Sequence, residues 1–194
     1  MPKEAFYRQL NLSLELREKF VSDVQRITVE YSLTAESLHI DKSDDLLEIL
    51  VLTIRLKKKA FDNRIVETIA RQNKHKLVFC LNYGDQEQLA LYSGKLYKTQ
   101  WRPATGGMLE ARGRTLPEIW NGFVEQIALA DETPTTSEVS IEDRLRRQEH
   151  IAKLQKEMAK LERLARKETQ PKKKFELYQQ IQVLKKQLAD IEQA

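Results

Sequence analysis

Leu46-Leu47-Glu48-Ile49-Leu50-Val51-Leu52-Thr53-Ile54-Arg55-Leu56 is apolar on both of its alternating sets of positions and carries β-branched residues near its centre. A strand buried on both faces reads this way, because a layer on each side must cover its side chains. A buried helix is the rival, but the run is too short to cross a bilayer and its Val, Thr and Ile favour the strand. Downstream, Leu77-Val78-Phe79-Cys80-Leu81 reads as a second buried strand. Between them Phe61, Ile65 and Ile69 suggest a helix from Phe61 to Gln72, opened by Asp62 and Asn63. Strand, helix and strand within about 35 residues is the size of a right-handed crossover, which makes the two strands parallel.

Upstream, Lys3 to Leu10 suggests a short helix, and Leu16, Phe20, Val24 and Ile27 recur every three or four residues, predicting an amphipathic helix from Leu14 to Ile27. Ile27, Val29, Tyr31 and Leu33 then alternate as in a strand. Beyond Leu81, Gly84-Asp85 is a turn, and Ser93-Gly94 is a hairpin signal between Glu87–Tyr92 and Lys95–Trp101. Tyr97, Thr99 and Trp101 are expected on one face of that last strand. Pro103 to Arg114, with Gly106, Gly107 and Gly113, reads as a loop. Thr115-Leu116-Pro117-Glu118 is a helix start, and Leu116, Ile119, Trp120, Phe123 and Ile127 form the buried stripe that follows. The expected fold is α+β: a mixed sheet of four or five strands with packed helices over residues 1–130, then a linker over 131–140.

From Ser140, an N-cap with Asp143, the pattern changes. Ile151, Leu154, Met158, Leu161 and Ala165 are spaced 3, 4, 3, 4; Leu177, Ile181, Leu184, Leu188 and Ile191 are spaced 4, 3, 4, 3. Both are seams of period 3.5, and they are mirror images about Pro171, inside the helix-breaking stretch Glu168-Thr169-Gln170-Pro171. Residues 141–194 therefore read as an antiparallel helical hairpin with its turn near 168–172 and helices roughly 30 Å long.

Length and charge bound the rest. At 194 residues there is room for one domain and an extension. Cys80 is the single cysteine, so no disulfide framework forms and a reducing cytoplasm suits the chain. No secretory pattern opens the sequence and no run reaches transmembrane length, so a cytoplasmic protein with no membrane contact is expected. The net charge of +4 is unevenly placed: residues 141–194 hold 14 Lys and Arg against 9 Asp and Glu, the other 140 hold 19 against 20. The excess gathers at the hairpin turn, where Arg163, Arg166, Lys167, Lys172, Lys173 and Lys174 face only Glu168. Such a tip is either a solvated turn or a probe for phosphate backbone, and the apolar seam offers a third use, pairing with a partner helix or a second copy.

Motifs for catalysis or cofactors are scarce. There is no phosphate loop, dinucleotide fingerprint, zinc spacing or nucleophile elbow, so no cofactor or metal is expected, and His39, His75 and His150 stand alone in sequence. Asp44, Asp45 and Glu48 with Lys57 invite a Mg²⁺-dependent nuclease, but that chemistry wants an acid two residues before the lysine on a strand, where Arg55 stands.

Several stretches taken together carry a resemblance: Phe6-Tyr7, the helix ending in Ile27, the Glu48-to-Lys57 strand, His75 before Leu77-Val78-Phe79, Tyr97-Lys98-Thr99-Gln100-Trp101, Phe123-Val124-Glu125-Gln126-Ile127, and Lys173-Lys174-Phe175-Glu176-Leu177 within the seam. In this order they resemble the prokaryotic domain-of-unknown-function 4391 family across nearly the whole chain. The resemblance implies a setting beside helicases and DNA methyltransferases in restriction or phage-defence loci, with such a protein as partner. The expected function is a non-enzymatic accessory subunit that binds DNA, RNA or a larger DNA-processing partner through the basic hairpin. A Mg²⁺-dependent nuclease and a structural oligomerisation module are the alternatives.

Overall fold

Strand β2 (Ile49–Leu56) occupies the apolar run and has a paired strand on each side. In the computed structural model, which describes residues 10–104, 109–130 and 140–193, the elements before it are helix α1 (Leu14–Asp23), strand β1 (Val24–Leu33) and the single turn α2 (Ala35–Leu38). After it come α3 (Arg64–Gln72), β3 (Lys76–Tyr83), β4 (Gln86–Ser93), β5 (Lys95–Lys98), β6 (Arg102–Pro103) and α4 (Leu116–Ala128). Helices α5 (Ile141–Lys167) and α6 (Pro171–Gln193) close the chain. The chain divides into two compact units, Met1–Pro134 and Thr135–Ala194. The linker expected over 131–140, apart from Ser140, and the helix expected from Lys3 lie outside the described residues, Leu10 excepted. No helix among the described residues is long and apolar enough to cross a membrane.

The fold is α+β, with a mixed six-stranded sheet. Its order is β1-β2-β3-β4-β5, with β6 paired to β4. β2 and β3 run parallel, joined by α3, with Ile49 opposite Lys76 and Arg55 opposite Asn82. Every other pair is antiparallel. Gly84 and Gly94 adopt positive φ, 58° and 72°, in the β3–β4 and β4–β5 turns, where a side chain would strain the backbone.

One sheet face packs Leu52, Ile54, Phe79 and Leu81 against Phe20 of α1 and Ile65 and Ile69 of α3, all fully buried. The other face meets α4, which contacts β4 and β5 and sets Trp120 under the Lys76 ammonium, 5.2 Å from the ring centroid. On that face of β2 Ile49 is buried, Val51 and Thr53 are half-buried and Arg55 is exposed, so the strand is covered on both sides only near its start.

Three local expectations are corrected. The helix expected to reach Ile27 stops at Asp23, and Val24 and Ile27 are strand residues. Val24 opposes Leu56 and Ile27 opposes Ile54, with a register shift between Val24 and Arg26. That irregularity places two residues three apart on one buried face, which is the spacing a helix shows. Strand β5 ends at Lys98, because the Thr99 hydroxyl accepts the Leu89 N–H at 3.0 Å in place of a ladder carbonyl. Tyr97, Thr99 and Trp101 therefore share no strand face: Tyr97 opposes Leu91, while Trp101 packs against the α1–α3 core. The sixth strand has only two residues, too few to show any period.

Asp23 fastens the corner where α1, β1 and the β2–α3 loop meet. Its carboxylate, 1% exposed, accepts from Lys58 Nζ at 2.7 Å, the Asp62 N–H at 2.9 Å and the Ser22 hydroxyl at 2.5 Å. Burial by itself raises its pKa and is the largest single effect, but the bonds from Lys58, Ser22 and Asp62 together outweigh it and hold the carboxyl below the ordinary range. A carboxyl so lowered adds stability above its unfolded pKa of about 4, and that stability is lost as pH falls through the folded value. Asp23→Ala leaves the Asp62 N–H without its acceptor and is expected to cost roughly 1–3 kcal/mol at neutral pH. Denaturant melts of both proteins check this, and the gap should narrow below about pH 4.

Candidate nucleic-acid interface

Helix α5 begins at Ser140, whose hydroxyl accepts the Asp143 N–H at 3.1 Å, and ends at Glu168, whose N–H donates to the Leu164 carbonyl at 3.0 Å. Thr169 and Gln170 complete the turn, and Pro171 opens α6 at the first helical position, where a missing N–H costs nothing. The helices have 27 and 23 residues, about 40 and 35 Å, longer than the seams alone suggest. α5 and α6 pack against each other. Leu154, Ala165 and Ile181 are buried, and Ile151, Met158, Leu161, Leu177, Leu184, Leu188 and Ile191 are half-buried, between stretches that are mostly exposed.

The turn is where the charge lies. Arg163, Arg166, Lys167, Lys172 and Lys173 are exposed and Lys174 is half-buried. None of the six makes a side-chain hydrogen bond or ion pair among the described residues. The one acid among them is engaged in the backbone: Glu168 Oε1 accepts the Gln170 N–H at 2.8 Å. Arg166 and Lys167 sit in the last turn of α5, where the helix dipole welcomes cations. Lys172, Lys173 and Lys174 sit in the first turn of α6, which holds no acid and where the dipole repels them. A cleft of about 450 Å³ opens beside them, lined by Leu164, Lys167, Glu168, Lys173 and Glu176 among others. Phe175 and Tyr178, 63% and 48% exposed, add aromatic surface close to the turn.

The sheet distributes the other candidate residues differently. Asp44, Asp45 and Glu48 precede β2 and Lys57 follows it, so an eight-residue strand of about 26 Å separates them. The constellation weighed for metal-assisted cleavage is not brought together, and among the described residues no three His, Cys, Asp or Glu side chains form a metal-holding group. Lys57 donates instead to the Val21 carbonyl at 2.8 Å.

His75, alone in sequence, is not alone in space. The parallel register sets it beside Glu48, whose Oε2 lies 3.1 Å from His75 Nδ1 and whose Oε1 accepts the Ser32 hydroxyl at 2.5 Å. Sequence reading missed this because the pairing appears only once β2 and β3 are aligned. The serine binds the carboxylate, not the imidazole, so the three do not form a nucleophile–base relay. His39 takes a left-handed conformation, φ 55°, at the end of α2, and His150 is exposed on α5. The Cys80 thiol is pushed up first by burial and then by the Glu87 charge, away from the thiolate form that reacts.

Comparison with known proteins adds one finding. The family model described as domain of unknown function DUF4391 matches residues 1–188, and the chain belongs to that family. No curated protein and no solved structure matches it.

The charge at the start of α6 and the buried seam act on hairpin stability with opposite signs. Lys172→Glu places an anion at the N-terminus of α6 and is expected to stabilise the hairpin by about 0.3–1 kcal/mol. Ile181→Ala removes a buried seam side chain and is expected to cost roughly 2–5 kcal/mol. Thermal melts followed by circular dichroism at 222 nm distinguish the two signs.

Proposed function

We propose that this member of a family without assigned function is a non-catalytic accessory subunit that contacts nucleic acid through the basic turn of its C-terminal hairpin. The observation that supports this most is the placement of Lys172, Lys173 and Lys174 in the first turn of α6, which holds no acid. A turn selected for stability alone would carry acids there, since the dipole favours them. Cations kept in that position cost stability, and an anionic partner turns the cost into attraction. Phosphate backbone suits six cations that have no side-chain hydrogen-bonding partner among the described residues. The setting implied by the resemblance, beside helicases and DNA methyltransferases of restriction and phage-defence loci, suits such a subunit.

A second reading has its own observation. Leu164, Phe175, Tyr178 and Val183 are apolar and between 47% and 63% exposed on the same two helices. Exposed apolar groups gathered on one element also serve a partner helix or a second copy of the chain. In that case the oligomeric state follows protein concentration and not salt.

Titration of a labelled oligonucleotide at several salt concentrations tests the first reading. Replacing Lys172, Lys173 and Lys174 with glutamine is expected to weaken binding and flatten the slope of log affinity against log salt by roughly 2–2.7 units. Helicity is expected to be unchanged, since the seam is untouched. Equal binding by the variant and the parent at every salt concentration would refute the proposal.

A further inference from the structure

The sheet carries a second run of unanswered positive charge, remote in sequence from the hairpin. Following the register across five strands gives Arg26 on β1 opposite Arg55 on β2, Arg55 opposite Asn82 on β3, Asn82 opposite Glu87 on β4, and Glu87 opposite Arg102 on β6. All five side chains belong to the sheet face that carries Val78 and Leu91, opposite the α1–α3 core. They form one polar row at the ends of β2 and β3 that lead into the α3 crossover and the β3–β4 turn. The next row on this face, Thr28, Thr53 and Cys80, is polar and small.

Within the row the charges are not balanced in place. Glu87 is committed to Arg102, 2.9 Å away. Arg26 and Arg55 are exposed, directly opposite each other, and have no side-chain hydrogen bond or ion pair among the described residues. Like charges across a strand pair work against the sheet. Protection of a sheet edge from stray pairing would explain Arg26, since β1 is an edge strand. It does not explain Arg55, on a strand flanked on both sides. The other acid toward this face, Glu30, lies at the register shift between Val29 and Tyr31 and acts on Cys80.

One further group selects among anions. Tyr31 opposes Val51, which sets it on the same face about 13 Å along the strand from the arginine row, and it is 54% exposed. An acidic peptide would use the guanidiniums and leave the ring idle. A nucleic acid single strand uses both: phosphates on Arg26 and Arg55, and a base stacked on Tyr31. A rigid duplex cannot present an unstacked base to a flat sheet.

We infer that this face of the sheet, from Arg26 and Arg55 to Tyr31, binds single-stranded nucleic acid. The inference stands apart from the hairpin reading, because no residue is shared.

Fluorescence anisotropy with a labelled oligothymidylate of about 20 nucleotides, a length that covers at least one single-strand binding site, tests it on the intact chain. Four proteins are compared: parent, Arg26→Gln/Arg55→Gln, Tyr31→Ala, and the hairpin variant with glutamine at 172, 173 and 174. The arginine pair variant is expected to lower the salt slope by about 1.4 units, and Tyr31→Ala to weaken binding about fivefold or more with the slope unchanged. The replaced side chains are exposed, apart from the half-buried Lys174, so melting temperatures should hold or, for the arginine pair, rise. Loss only in the hairpin variant overturns this inference and leaves the hairpin reading standing; loss only in the sheet variants does the reverse. Equal competition by polyglutamate, or equal binding of a duplex by Tyr31→Ala and the parent with no preference for the single strand, also overturns it.

Discussion

Burial of one face of β2 under two helices, with a paired strand on each edge, is the constraint from which the rest of the structure follows. The strand requires a covering layer for Leu52, Ile54 and Leu56, which α1 and α3 supply, while α4 covers the opposite sheet face over β4 and β5. It also requires neighbours for its backbone on both edges. β1 supplies one by antiparallel return, and β3 supplies the other through α3, which fixes the parallel direction. The loop between β2 and α3 then has to be held against α1, and the buried carboxylate of Asp23 does this for Lys58 and the Asp62 backbone at once.

The same constraint sorts charge along the strand. Charged residues are excluded from Ile49 to Ile54 and collect at the two ends of β2. At the leading end stand Asp44, Asp45 and Glu48, and the parallel register brings His75 to Glu48. At the trailing end stand Arg55, Lys57 and Lys58, of which Lys58 is answered by Asp23 and Arg55 by nothing among the described residues. The hairpin repeats the theme in another form, with six cations at one turn and the carboxylate of Glu168 among them bound into the backbone.

What the sequence made legible, and what it hid, divides on physical lines. The hairpin could be read residue by residue, because a 3.5 period persists through both helices and only one stretch, Glu168 to Pro171, can break them. The parallel β2–β3 pair was readable because a crossover of that length leaves little choice of direction. The end of α1 was not: a register shift in β1 gave Val24 and Ile27 the spacing of a helix. The two-residue β6 and the departure of Thr99 from the ladder depend on single hydrogen bonds, which leave no period in sequence. For the candidate sites, the hairpin tip was visible as a local run of charge. The row from Arg26 to Arg102 was invisible, because its members are strangers in sequence and meet only through the register of five strands.

The central claim is that unanswered cations, at the hairpin turn and on the sheet face, are the contact surfaces of this chain. Hydrogen exchange followed by mass spectrometry, with and without a single-stranded oligonucleotide, tests it without altering any residue. The account predicts slowed exchange in Arg163–Lys174 and in Arg26–Tyr31, and no change in the segment Asp41–Glu48. Slowing confined to Asp41–Glu48, or no change anywhere at saturating oligonucleotide, would contradict it.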